Sequence, residues 1–227
     1  MNELWSDIGP QLWPAFRVTL ELTLWSAIGA LIWGTILAGM RVSPVPVMRW
    51  FGAAYINIVR NTPLTLIVIF CSVGLYQNLG LALAPDNDTF IENNNFRLAV
   101  LAFILYTATF VCETLRSGFN TVPLGQAEAA RSLGLGFSQV FGIIILPQAL
   151  RSVIGPLGSV LIALTKNTTI ASVIGVAEAS LLMKEQIENH ADQIIAIFVI
   201  IAIGFMVITL IEGAVFGYLA KRLAVKR

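Results

Sequence analysis

Five runs of apolar residues set the architecture that this chain can adopt. They lie at residues 16–40, 53–81, 96–115, 140–164 and 193–219. A helix needs about 20 residues to cross a hydrocarbon core of roughly 30 Å, and a spanning backbone must satisfy its own hydrogen bonds. The runs therefore predict an all-α integral membrane protein with about five transmembrane helices in a lipid bilayer. The fourth run also contains Pro147 and Pro156, so we expect its helix to start late or to be broken.

Composition and missing motifs exclude several function classes. Hydrophobic residues make up 57% of the chain and charged residues only 12%, against about 25% charged in a soluble domain. The net charge of +1 gives no electrostatic footprint for nucleic acid. The sequence has no P-loop, nucleophile elbow or metal-ligand spacing. We expect no catalytic residues, no metal and no cofactor held by this chain.

Basic residues divide unevenly between the two sides that these spans create. One side holds Arg41, Arg49, Arg116, Arg131, Arg151, Lys221, Arg222, Lys226 and Arg227. The other side holds Arg17, Arg97 and Lys184 together with most of the acidic residues. Because cytoplasmic loops retain lysine and arginine during insertion, we expect the N-terminus outside and the C-terminus in the cytoplasm.

The long segment between the third and fourth runs predicts a short helix on the cytoplasmic side. Pro123 and Gly125 break the preceding structure, residues 126–133 favour helix, and Gly134 with Gly136 end it.

Two surfaces follow from the spacing within this short helix. Glu128 and Arg131 are three residues apart and can pair, while Ala129, Ala130 and Leu133 form a small apolar face. Such a helix is typical of a segment that fits into a groove of a partner protein.

The run GQAEAARSLGLG, followed by ILPQALR, resembles the EAA signature of bacterial ATP-binding-cassette import permeases. The match extends from Gly125 to Arg151. The resemblance implies a single permease domain over residues 1–227 with the type I importer fold. It also implies a coupling loop at about 117–148 that seats in a separate ATPase subunit, which binds the ATP. The coupling residues implied are Glu128, Ala129, Ala130, Arg131, Ser132, Leu133, Gly134 and Leu135.

Two further stretches are similar to the polar amino-acid subfamily of these permeases. VRNTPLTL at 59–66 matches its F-R-G-T-P-L stretch with Val and Asn replacing Phe and Gly, and LTKNTTIASVIGVAE at 164–178 matches its L-K-D-T-S-L stretch. Within the subfamily, the chain resembles permease subunits of actinobacterial glutamate uptake systems. The resemblance implies a multi-pass protein of the bacterial cell membrane. Its implied partners are two ATPase subunits, a related second permease and an extracellular substrate-binding protein.

Charged residues inside predicted spans are candidate functional residues, because each is costly in hydrocarbon. They are Glu21, Arg60, Glu113, Lys166 and Glu212. Glu113 and Arg116 are three residues apart and favour a local ion pair. Glu21 and Glu212 have no evident partner, so packing and pore-lining roles both stay open.

Lys166 and Arg60 are the better candidates for contact with a substrate. Lys166 precedes Asn167 and Thr168, where a break in the fourth span would expose N–H groups that suit a carboxylate; alternatively, Lys166 extends to the outer interface. Arg60, followed by Asn61 and Thr62, can bind a carboxylate or pair with a buried acid such as Glu113.

The identity of residue 167 bears on the substrate. In the subfamily that this chain resembles, an acid usually follows the lysine, whereas Asn167 is neutral and favours an anionic substrate. The residues and the resemblance together predict a permease subunit for polar amino acids, most specifically glutamate or aspartate. One alternative is a secondary transporter driven by an ion gradient, which leaves the short cytoplasmic helix unexplained. Another is a structural membrane subunit, which would not need Lys166 and Arg60 within its spans.

Overall fold

A computed structural model describes residues 2–136 and 139–223, and every regular element among them is helical. The α-helices are α1 Asn2–Val42, α2 Pro46–Arg60, α3 Leu64–Ile69, α4 Phe90–Phe119, α5 Leu124–Ser132, α6 Leu146–Asn167, α7 Ala179–Asn189 and α8 Ile194–Leu223. Helix α3 continues as a π-helix over Phe70–Asn78, and a second π-helix, Val140–Ile145, precedes α6. A 3-10 helix, Thr168–Ile174, follows α6, and a shorter one, Ala191–Gln193, precedes α8.

Four segments are long and apolar enough to cross a membrane, and a fifth is formed if a bent pair of helices counts as one span. The four are Leu4–Val42, Phe90–Phe119, Val140–Ile174 and Ala191–Leu223. The bent pair is Pro46–Arg60 with Leu64–Asn78, which meet at an angle of 103°. The expectation of an all-helical membrane protein with about five spans is confirmed, but the second span is bent rather than straight.

Of the two outcomes expected for the fourth span, the α-helix does start late, at Leu146 after the π-helix, but the span is not broken. Pro147 lies in the first turn of α6, where a missing backbone N–H costs little, and Pro156 lies inside a helix that continues to Asn167. The first helix also begins earlier than the apolar run at residue 16. Leu4 and Ile8 are buried in a cluster with α7 and α8, and this packing extends the helix to Asn2.

The bundle has two ends with different contents. The start of α1, the loop before α4, and α7 lie at one end, called here the α7 end. Leu4 and Leu182 belong there to one buried cluster, the Leu83 N–H donates to the Asn94 side chain, and the Asn95 amide donates to the Ile174 carbonyl. The opposite end, called the α5 end, holds α5 and the charged side chains at the end of α1 and late in α4. The described basic residues that the charge split assigned to the cytoplasm belong to elements of the α5 end; Lys226 and Arg227 lie outside the described residues.

Helices α1 and α4 form the most extensive contact between two helices of the described chain. A Cβ at Gly34 would lie 2.6 Å from Val111 and 2.9 Å from the Ala108 carbonyl oxygen, and a Cβ at Gly29 would lie 2.3 Å from Ile104. Small residues allow helices in a membrane to approach closely. This contact fixes α4, whose other side faces α6 and the candidate site.

Candidate functional site

The candidate site begins at the bend between α2 and α3. Arg60 ends α2, and the next two residues satisfy carbonyl groups of its last turn. The Asn61 amide donates to the Asn57 carbonyl at 2.7 Å, and the Thr62 hydroxyl donates to the Ile58 carbonyl at 2.8 Å. Backbone groups at a break inside a membrane need such partners. Asn61 and Thr62 therefore support the bend, and Arg60 is the charged group that it presents.

Arg60 contacts an aromatic ring instead of a carboxylate. Its guanidinium lies 5.4 Å from the centre of the Phe110 ring on α4, a cation–π arrangement. The alternative in which Arg60 pairs with Glu113 is wrong, because Glu113 is occupied by Arg116 at 3.0 Å and Arg41 at 3.6 Å. The expected local pair of Glu113 and Arg116 is confirmed. Arg60 thus keeps its hydrogen-bond donors for another partner.

A cavity of about 320 Å³ lies between α4 and α6, next to Phe110. Tyr106 and Phe110 line it from α4, and Ser159, Ala163 and Asn167 line it from α6. These three α6 residues recur every four positions, so they lie along one face of the helix. Phe110 thus contacts Arg60 and also lines the cavity that Asn167 lines, although Arg60 and Asn167 are far apart in the sequence.

The other two candidates near Asn167 differ in accessibility. Lys166 is exposed at the end of α6, whereas Thr168 is fully buried and its hydroxyl donates to the Thr165 carbonyl at 2.7 Å. Because α6 runs directly into the 3-10 helix, the break that would have exposed backbone N–H groups here is absent. Of these three residues, Lys166 and Asn167 are the ones whose side chains are not buried.

Sequence reasoning missed the aromatic side of the cavity. The rings of Tyr106 and Phe110 contact each other with their centres 5.1 Å apart and their planes at 58°. Both belong to an ordinary apolar run, and nothing in that run distinguishes them from residues that face lipid. Only the packing of α4 against α6 reveals their position.

The expected short helix is present as α5, and a left-handed glycine follows it. Gly134 has φ +87°, as expected for a glycine that ends a helix. Leu124 and Leu133, at the two ends of α5, have exposed fractions of 80% and 84%. Ala130, by contrast, is buried within the chain. The expectation that Ala130 belongs to the outer apolar face is therefore wrong.

The expected ion pair between Glu128 and Arg131 is not formed among the described residues. Both side chains are exposed to solvent, where such a pair gains little. Both are therefore left on the outer surface of α5.

Side-chain hydrogen bonds join this segment to the start of α6. The Gln148 amide donates to the Gln126 side-chain oxygen at 2.7 Å, which connects α6 to α5. The Thr121 hydroxyl, just beyond α4, donates to the Ser152 hydroxyl at 3.2 Å. Helix α6 therefore has side-chain bonds to α5 at one end and carries Lys166 and Asn167 at the other.

A buried carboxyl group ends the stretch 164–178 at the α7 end. Glu178 is fully buried, and its carboxyl accepts from the N–H groups of Ser180 and Leu181 at 2.8 and 3.0 Å. Burial raises its pKa to about 7, although these two bonds and the charge of Lys184 oppose the rise. Glu178 thus caps α7 and titrates near neutral pH.

Comparisons with known proteins agree with one another. The family model described as binding-protein-dependent transport system inner membrane component matches residues 4–225. The chain is 66% identical to the glutamate transport system permease protein GluC of Corynebacterium glutamicum, with 100% of both chains covered. It is 31% identical to the glutamate/aspartate import permease protein GltK of Escherichia coli, with 97% of this chain and 98% of that one covered. Its fold matches the crystal structure of an amino acid ABC transporter with histidines at a TM-score of 0.84 and 27% identity, over 96% of each chain.

The raised pKa of Glu178 predicts that stability falls as the pH rises from about 5 to 8. The folded state holds the proton up to about pH 7, whereas the unfolded chain releases it near 4.5, the usual pKa of a glutamate. This contribution is therefore fully present below pH 4.5 and is lost as the pH passes 7. Half-lives of the purified protein at a fixed elevated temperature, measured across this range, check the prediction.

The Glu178→Gln variant should show a weaker fall than the wild type, because its side chain does not titrate. A His190→Gln control removes the histidine that lies 3.1 Å from Asp7 at the same end. An equal fall in the wild type and in Glu178→Gln would contradict the assignment.

Proposed function

This chain belongs to the family of binding-protein-dependent transport system inner membrane components, and from that premise we propose that it is a permease subunit of an ATP-driven importer of glutamate or aspartate. It is a transport subunit of the membrane and not an enzyme. Its family works with an ATPase and a substrate-binding protein. The full-length similarity to a glutamate permease is the observation that carries the choice of substrate.

The charges near the cavity suit an acidic amino acid. Lys166 and Arg60 are exposed cations, and Asn167 adds no negative charge beside them. A substrate carboxylate could accept hydrogen bonds from either cation, since charge-assisted bonds of this kind are among the strongest in proteins. The substrate site of this proposal comprises Lys166, Asn167, Arg60 and the aromatic wall formed by Tyr106 and Phe110. Thr168, Asn61 and Thr62 stabilise the backbone beside this site through their side-chain hydrogen bonds to carbonyl groups.

The segment from Glu128 to Leu135 is the proposed contact with the ATPase. Leu124 and Leu133 leave large apolar surfaces exposed at the α5 end, and helix ends with such surfaces suit a groove in a partner. Basic residues belong to the same end, which supports its placement in the cytoplasm with the N-terminus outside. ATP is bound by the partner and drives alternating access.

A second permease subunit completes the pathway in this proposal. Ser159, Ala163 and Lys166 lie on a face of α6 that is exposed in the single chain, and polar or small residues on such a face favour another protein over lipid. We assign this face to a related permease in a heterodimer. Two ATPase subunits then bind the two α5 segments, and an extracellular binding protein delivers the amino acid at the α7 end.

Transport by the complete complex in proteoliposomes tests the function. We expect glutamate uptake that requires ATP on the side of the membrane that the ATPase subunits face and the binding protein on the opposite side. This uptake should persist when an uncoupler is added. Uptake that continues without ATP and collapses with the uncoupler would establish the ion-gradient alternative instead. Arginine in place of glutamate tests the charge preference, and we expect no uptake of it.

Replacement of Lys166 tests the substrate site. A hydrogen bond to a charged group contributes about 1.5–3 kcal/mol, so Lys166→Ala should raise the KM for glutamate roughly 10- to 100-fold. Lys166→Arg keeps the charge and should retain most of the affinity. Radiolabelled uptake at varied glutamate concentration measures both variants. A KM unchanged in Lys166→Ala would remove this residue from the site.

Replacement of Gly134 tests the coupling segment. Alanine at φ +87° carries about 1–2 kcal/mol of strain, which shifts a conformational equilibrium roughly 5- to 30-fold. Gly134→Ala should therefore lower ATP-dependent uptake by a similar factor. Gly125→Ala is the matched control, since a Cβ meets nothing within 4 Å at either glycine and Gly125 lacks the positive φ. Equal uptake by the two variants would refute the role of Gly134.

A further inference from the structure

Glu212 is a carboxyl group inside the last transmembrane helix, and its described polar contact is with a neutral residue. One of its oxygens accepts a hydrogen bond from the Thr165 hydroxyl of α6 at 2.7 Å. The other oxygen is buried and has no hydrogen-bond partner among the described residues. Acidic groups in spans are costly. An acid at this position therefore indicates a specific role.

The bond lies at one end of the contact between α6 and α8. A Cβ at Gly158 would meet Phe216 at 2.5 Å, and a Cβ at Gly213 would meet Ile162 at 3.8 Å. Gly158, Ile162 and Thr165 follow one another at intervals of four and three residues, so they share one face of α6. Glu212 thus bonds to the last turn of α6 on the face that packs against α8.

Thr165 in turn orders the residues that follow it. Its carbonyl accepts from the Thr168 hydroxyl at 2.7 Å, and the Lys166 carbonyl accepts from the Thr169 hydroxyl at 2.9 Å. These bonds lie where the α-helix tightens into a 3-10 helix, a transition that changes the direction of each side chain. The direction of Lys166 and Asn167 therefore depends on how this turn is held.

We propose that Glu212 is a positioning residue for the substrate site, because its bond to Thr165 sets the direction in which Lys166 and Asn167 face the pathway. This inference rests on the proposed function. Thr165 is fully buried, so the contact lies behind the site and Glu212 acts through α6 without touching the substrate.

Paired variants in the complete complex test the proposal. Glu212→Leu and Thr165→Val each remove the bond, and each should raise the KM for glutamate about tenfold with little change in the maximal rate. The double variant should be no worse than either single one, because both remove the same contact. Glu212→Gln keeps an acceptor and Thr165→Ser keeps a donor, so both should stay near the wild-type KM. Thr209→Val is the control, since its hydroxyl bonds to the Phe205 carbonyl within α8.

Several results would overturn the proposal. They are an unchanged KM in Thr165→Val, additive effects in the double variant, or a loss of maximal rate alone. A Glu212→Gln variant as impaired as Glu212→Leu would also overturn it, since the charge and not the bond would then matter. Thr165→Val keeps the shape of the side chain and covers the case in which Glu212→Leu does not assemble. Absence of glutamate uptake by the wild type would instead refute the proposed function on which the inference rests.

Discussion

A polar group that enters hydrocarbon must have a partner within the protein, and this constraint explains several side-chain contacts of the structure. The bend between α2 and α3 leaves carbonyls without helical donors, and Asn61 and Thr62 supply them. Glu21 on α1, for which the sequence indicated no partner, pairs with Arg17 at 2.7 Å. Glu113 pairs with two arginines. Arg60 and Lys166 differ from these residues because neither makes an ion pair within the described chain, so both are available to a ligand.

The parts of the fold that depend on residues adjacent in the sequence could be predicted from the sequence. Long apolar runs predict spans by length alone, and the glycines around α5 predict where that helix ends. The early start of α1 could not be predicted in this way, because its N-terminal turns are helical only through contacts with α7 and α8. The same holds for α6, where proline signals predicted a break. Packing against α4 and α8 keeps that helix continuous.

The candidate site also combines residues that the sequence identifies with residues that only the packing of helices identifies. Lys166 and Arg60 were identifiable because a charge in an apolar run is rare. Phe110 and Tyr106 were not, since an aromatic residue in such a run is ordinary and its direction depends on a second helix. The link between Glu212 and Thr165 joins residues 47 positions apart, and no local pattern indicates it. Sequence reasoning found the charges of the site, and the structure supplied the surfaces and bonds that orient them.

Helix α6 is the physical connection between the two halves of the proposed mechanism. Its first turn carries Gln148, which bonds to α5, and its last turn carries Lys166 and Asn167. A helix of 22 residues is about 33 Å long, comparable to the hydrocarbon thickness. Because the helix contains no break, a displacement of α5 by an ATPase would move the substrate end of α6 as well. A broken helix, as the prolines suggested, would have absorbed such a displacement at its joint. In the proposed mechanism, the continuity of α6 therefore carries a displacement at the α5 end to the substrate residues at the other end of the helix.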